Sequence, residues 1–186
     1  MQAEKNIEVM KSYNVKTIVT ACPHCYSTIK NEYPQFGGNF KVLHHTELIE
    51  ELIREGKLKI SGELKETITY HDSCYLGRHN NIYEQPRNIL KRISGVNMVE
   101  MKKNHKWSFC CGAGGGRMWM EERTGQRISE NRIDQAIETK AGTIATACPF
   151  CMQMFDDAIK AKEKEEQIVT KDIAEIIVES MNIPKD

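Results

Sequence analysis

Seven cysteines stand in this 186-residue sequence, at positions 22, 25, 74, 110, 111, 148 and 151. Cys110 and Cys111 are adjacent inside "WSFCCGAGGGRMW" and run straight into glycines. Neighbouring cysteines make poor disulfides, because an ordinary bridge wants its Cα atoms further apart than one backbone step allows. Two neighbouring thiolates also repel unless positive charge sits between them. The odd count argues against a disulfide framework, and so does an N-terminus, "MQAEKNIEVMKSYNVK", that lacks a signal-peptide core. Metal binding or redox chemistry is the expected use of these thiols.

Four of the cysteines lie in an internal repeat. "VKTIVTACPHCYSTIKNEY" from Val15 and "AGTIATACPFCMQMFDDAI" from Ala141 share T-I-x-T-A-C-P-x-C at an offset of 126 residues. The likeness continues downstream, where "FKVLHHTELIEELI" follows the pattern of "EQIVTKDIAEIIV". The second copy has more ahead of it: Cys74, then 35 residues, Cys110-Cys111, then 36 residues, Cys148-x-x-Cys151. Only 21 residues precede Cys22, so the first copy has no room for the same series. The expectation is two related units, with 1–60 the C-terminal remainder of the first and 61–186 a complete second. The charged, turn-rich stretch 54–66 reads as the linker. The chain as a whole then reads as the C-terminal part of a longer protein.

The elements that must position these thiols follow from periodicity. "TIVTA" and "TIATA" are short β-branched runs and read as strands, each ending at Cys-Pro. Proline suits the first position of a helix, which puts each Cys-x-x-Cys on a strand-to-helix turn. There the partial positive charge of the helix N-terminus is expected to favour thiolate. "FKVLHH", "ETITYHD" and "VNMVEM" read as further strands. Helices are expected over "TELIEELIREG", from Pro86 to near Gly95, over "RISENRIDQAIETKAG" and around Ile173, Ile176, Ile177 and Met181. Strands alternating with helices at this spacing predict an α/β fold of mainly parallel sheets flanked by helices. Sites in such folds gather beyond the carboxyl ends of strands, where these cysteines fall.

A mononuclear zinc site is the plain reading of a Cys-x-x-Cys. The adjacent pair weighs against it, because consecutive side chains approach one tetrahedral ion poorly. An iron–sulfur cluster is larger and can take neighbouring thiolates on different irons. Five thiols gathered from three places therefore favour a cluster. Zinc, or direct dithiol–disulfide exchange at the Cys-x-x-Cys, is the alternative. Gly112, Gly114, Gly115 and Gly116 would let backbone N–H groups approach the sulfurs. The run lacks the spacing of a phosphate loop. His71 and Asp72 are candidate donors behind the thiols, and Arg117 a candidate counter-charge. His24 is not read as a ligand, and Trp107 and Trp119 are read as core packing or partner contacts.

The combination "HDSCYLGR", "FCCGAGGG" and "ACPFC" resembles the cysteine-rich CCG domain. That domain occurs, usually twice, in the B subunit of heterodisulfide reductase and in iron–sulfur subunits of the glycolate oxidase type. The resemblance implies a cluster held by Cys74, Cys110, Cys111, Cys148 and Cys151, of the noncubane [4Fe-4S] kind, in an oxidoreductase subunit that need not be active alone. It implies redox partners such as a ferredoxin-like module or a flavoprotein. Cys22 and Cys25 would need ligands that this chain does not carry.

Composition adds exclusions. Lys plus Arg equals Asp plus Glu, 26 each, and this balance argues against a general nucleic-acid binder. No apolar run approaches the ~18 residues of a membrane span. A cytoplasmic protein is expected, any membrane association coming through its partners.

Overall fold

The structure is a computed structural model that describes residues 2–121 and 125–181. The chain opens with α1 (Gln2–Ser12). Then follow β1 (Thr17–Thr20), α2 (Pro23–Asn31), β2 (Lys41–His44) and α3 (His45–Arg54). The remainder runs β3 (Thr67–Tyr70), α4 (Glu84–Lys91), β4 (Asn97–Val99), α5 (Ile128–Ile137), β5 (Thr143–Thr146), α6 (Pro149–Ala161), β6 (Val169–Asp172) and α7 (Ile173–Glu179). All the strand pairings are parallel: β1 with β2, and a four-stranded sheet in the order β4-β3-β5-β6. The α/β class with parallel sheets is as the sequence predicts.

Helices cover both faces of the larger sheet. Side chains alternate along a strand, so neighbouring residues face opposite cores. Ile144 joins the core of α5 and α6 with Ile133, Ala136, Phe155 and Ile159. Ala145, the next residue, joins the core of α4 and α7 with Ile89, Leu90, Ile173 and Ile176. The second core also takes in Tyr26 and Val42 of the N-terminal elements. Leu58, Ile60 and Leu64 pack against it, and Glu63 bridges to Ser94, so the stretch 54–66 lies on the core surface.

The two copies of the repeat fold alike but sit differently. β5 is buried along its whole length between β3 and β6, whereas β1 alternates exposed and half-buried residues. Among the described residues β1 has a neighbour on one side only.

His44 and His45 sit where the copies meet. The His44 ring accepts from Thr46 Oγ1 at 2.8 Å through Nδ1 and donates from Nε2 to the Ala21 carbonyl at 3.2 Å. Ala147, the counterpart of Ala21, also turns its carbonyl towards this ring. His45 Nε2 lies 3.0 Å from Asp172 Oδ1. Burial, with His45 alongside, pushes the His44 pKa down to about 3, so the ring is neutral. An unfolded histidine takes its proton near pH 6.5. The stability due to neutral His44 is therefore complete above that pH and is lost as pH falls towards 3. Between pH 7.5 and 5.5 the unfolding free energy of the parent drops by roughly 1.4 kcal/mol more than that of His44→Gln. Urea titrations at the two pH values measure this, and equal drops would refute the assignment.

Candidate metal centre

Three neighbouring strands, β4, β3 and β5, end on the same side of the sheet, and the loops that follow them carry five cysteines. β3 delivers His71 and Asp72, then a turn holding Cys74. The loop after β4 passes through a short 3-10 turn, His105–Trp107, to Cys110 and Cys111. β5 ends at Thr146 and leads through Ala147 to Cys148, an extended residue at the N-cap of α6, with Pro149 as the first helical residue and Cys151 in the first turn. Proline costs nothing there, since its missing N–H would have had no partner in the helix. Cys111, Cys148 and Cys151 are buried, while Cys74 and Cys110 are half-buried.

The structure brings these five together. The Cys111 and Cys151 sulfurs and a ring nitrogen of His71 all lie within 4.8 Å of one another. Cys111 interacts with both Cys110 and Cys151, and Cys151 with Cys148. Cys74 feels the charges of Cys111 and Cys148. Sulfurs this close share charge unevenly. Cys110 is pushed up by its hydrogen bond with Cys111 and by burial. Cys151 is pushed up by Cys111 and Cys148, and Cys74 by burial and then by Cys111. Cys111 is drawn down by donation from Cys110 and Cys151, and Cys148 by donation from Cys151 and then His24. Cys111 and Cys148 are therefore the members of the set that ionise most readily. A multivalent cation among them would draw off the remaining protons.

The thiols at the helix N-termini differ. Cys148, at the N-cap of α6, is drawn down. Cys25 and Cys151, both in first turns, are raised: Cys25 by partial desolvation and then by Cys22, Cys151 by its sulfur neighbours. The glycines also act differently from expectation. Gly112 donates its N–H to Cys110 Sγ at 3.3 Å, and its φ of +92° with Ile128 Cβ 3.2 Å from any added Cβ demands glycine. Gly115 and Gly116 have positive φ but face open space, and so does Gly114.

Cys22 and Cys25 stand apart from this set, half-buried and exposed, on the turn into α2. His24 between them links the two places. Its Nδ1 is 3.8 Å from Cys22 Sγ, its ring lies 4.2 Å from that of Tyr75 and 5.2 Å from that of Phe150, and it helps to draw the Cys148 pKa down. A cavity of about 330 Å³ opens beside it, walled by Ala113, the glycine run, Trp119 and Phe150. Trp119 and Trp107 are exposed, which rules out core packing for both.

Two buried arginines that the sequence pattern did not single out hold the loops in place. Arg87 forks onto both Asp72 oxygens at 2.7 and 2.9 Å and onto Glu100 at 2.7 and 3.1 Å. Asp72 also accepts the His105 N–H at 2.7 Å, which ties the turn before Cys74 to the loop before Cys110. Arg132 reaches His71, Ser108 and the Lys103 carbonyl. The donor set fits a sulfur-bound metal group. In addition, the Ser73 and Thr146 hydroxyls, beside the Cys74 and Cys148 turns, are buried with no partner among the described residues.

The pattern of the family described as Cysteine-rich domain, CCG, matches residues 1–30 and 68–156. The chain belongs to the CCG family. Its CCG sequence is 51% identical over 96% of its length to the protein of Bacillus subtilis named "Probable iron-sulfur-binding oxidoreductase FadF", and covers 25% of that protein. It is 47% identical over 95% of its length to the EtfAB:quinone oxidoreductase of Syntrophomonas wolfei, covering 26% of it. With a dihydromethanophenazine:CoB–CoM heterodisulfide reductase polypeptide of Methanosarcina barkeri the identity is 35%, over 97% of this chain and 44% of that one. This CCG chain thus spans between a quarter and a half of these relatives. Among the described residues no helix is long and apolar enough to cross a membrane.

Proposed function

We propose that Cys74, Cys110, Cys111, Cys148 and Cys151 hold one iron–sulfur cluster, and that the chain is an electron-carrying part of a larger oxidoreductase. The observation that supports this most is the convergence of five sulfurs, two of them consecutive, from the loops of three adjacent strands. Consecutive thiolates suit neighbouring irons of one cluster and fit poorly around a single tetrahedral ion. When bound, such a cluster accepts and returns electrons one at a time. The protein's part is to fix the sulfurs, to supply N–H groups such as that of Gly112, and to exclude water from Cys111, Cys148 and Cys151. Five thiolates exceed the four of a cubane, which supports the noncubane [4Fe-4S] form known in the family.

The relatives' names, which print a quinone and a heterodisulfide, support redox partners; the family resemblance adds a flavoprotein or a ferredoxin-like module as donor. The exposed Trp119 and the cavity at His24 and Phe150 offer the approach to the buried sulfurs. Cys22 and Cys25 correspond to Cys148 and Cys151 in the repeat. We infer that they belong to a second centre whose other thiols this chain does not carry.

One observation favours a rival. His71, Cys111 and Cys151 are close enough to start a mononuclear zinc site. Anaerobic purification followed by iron, acid-labile sulfide and zinc assays decides between them. Iron with a matching amount of sulfide and broad visible absorption is the expected result, whereas zinc without sulfide overturns the proposal.

A further inference from the structure

Beside the sulfurs, one histidine is held in a single protonation form by a residue that makes no hydrogen bond to a cysteine among the described residues. Arg132 on α5 is wholly buried. Its Nε donates to His71 Nδ1 at 3.1 Å. Its other nitrogens donate to the Lys103 carbonyl at 3.0 Å, to Gln135 Oε1 at 2.8 Å and to Ser108 Oγ at 3.2 Å. A guanidinium only donates, so Nδ1 must be the accepting nitrogen of His71. The proton of the neutral ring then resides on Nε2. The ring itself cannot turn freely, because it stands edge-on to Phe155 with centroids 4.7 Å apart and is 1% exposed.

We propose that Arg132 is a positioning residue which keeps the His71 proton on Nε2, so that this ring, one nitrogen of which lies within 4.8 Å of the Cys111 and Cys151 sulfurs, serves a cluster held there as an N–H donor. The inference rests on reading the five thiols as a cluster site, and adds a residue that sets the cluster's redox behaviour. A donor aimed at cluster sulfur favours the more negative, reduced form and raises the potential. Second-shell partners of this kind also hold a histidine's tautomer in many metal sites.

Redox titration of the anaerobically purified protein, followed by its optical or paramagnetic signal, tests the proposal. His71→Phe keeps a flat ring against Phe155 and removes the donor. It is expected to shift the electron-exchange equilibrium about tenfold towards the oxidised form, since a hydrogen bond to a charged group is worth roughly that factor. His71→Gln keeps an N–H and is expected to stay near the parent. Arg132→Met frees the tautomer and is expected to fall between the parent and His71→Phe. It should also weaken the hyperfine coupling of an exchangeable proton on ring-15N histidine. If His71→Phe retains iron with the parent's potential and coupling, the proposal is overturned. Loss of iron from both His71 variants with secondary structure intact makes His71 a ligand, which also overturns it. Should His71→Phe not fold, Arg132→Met alone decides, and an unchanged coupling refutes the tautomer lock. If the protein proves to hold no iron and sulfide, the cluster reading has failed on its own. The 15N shifts of His71 in that diamagnetic protein still report the ring: a proton on Nε2 upholds the Arg132 lock, and one on Nδ1, or a metal on Nε2, overturns it.

Discussion

Cys111→Ser is expected to strip most of the iron proposed for the 186-residue chain, while Cys25→Ser is expected to leave the same centre filled. Cys111 is the sulfur through which the set is joined. It interacts with Cys110 and Cys151, lies within 4.8 Å of a His71 ring nitrogen, and its charge reaches Cys74. A serine hydroxyl is a poorer donor to iron–sulfur centres, which select soft thiolate. Removing even an outer partner of a metal site costs about 10–100-fold in affinity, and losing a direct ligand is expected to cost at least that. Cys25 is exposed on another turn and pairs with Cys22 instead. Metal analysis of the three proteins, purified side by side without oxygen, gives the answer. Full iron in Cys111→Ser, or equal loss in both variants, would refute the ligand assignment.

Arg87→Met is expected to cost about 3–5 kcal/mol, the usual consequence of leaving half of a buried ion pair behind. The Arg87 and Asp72 side chains are each 2% exposed. Without the guanidinium, Asp72 keeps, among the described residues, the His105 N–H at 2.7 Å, and Glu100 loses two hydrogen bonds. Since a domain of this size is stable by only about 5–15 kcal/mol, the variant should unfold far earlier in urea. Its iron content should fall as well, because Asp72 ties the Cys74 turn to the loop before Cys110. Arg87→Lys restores part of the stability at most, as an ammonium cannot fork onto two carboxylates. A loss below about 1 kcal/mol would mean that this network does not brace the site.

How far the sequence could be read depends on whether a feature is local. The Cys-Pro turns into α2 and α6 were legible, because proline, the β-branched run before it and the apolar stripe after it all lie within one short window. The strands were legible for the same reason, but their environment was not. "TIVT" and "TIAT" read alike, yet one is half exposed and the other buried, because burial depends on how many strands lie alongside. The helix expected after Pro86 begins at Glu84 and ends at Lys91. Proline is tolerated inside the first turn, where N–H groups have no helical partner. The glycine run suggests close approach to the thiols, and among the described residues Gly112 donates to one, Cys110.

The arginines escaped notice because arginine is ordinarily a surface residue, and their partners lie up to 61 residues away in sequence. A signal was nonetheless present. Ser129, Arg132, Ile133 and Ala136 form the buried face of α5 at helical spacing, which places a charge on the core side of the stripe. A charge on such a face calls for a buried partner, and His71 supplies one. His71 and Asp72 were read as candidates behind the thiols, and the structure gives them separate tasks. His71 faces sulfur, while Asp72 braces the loops.

X-ray absorption at the metal edge of the anaerobically purified protein tests the central claim most directly. If the five sulfurs surround a polynuclear centre, the iron edge shows sulfur neighbours together with a short iron–iron distance, and both features weaken together in Cys111→Ser. A zinc edge with light-atom and sulfur neighbours, and no metal–metal distance, would contradict the account.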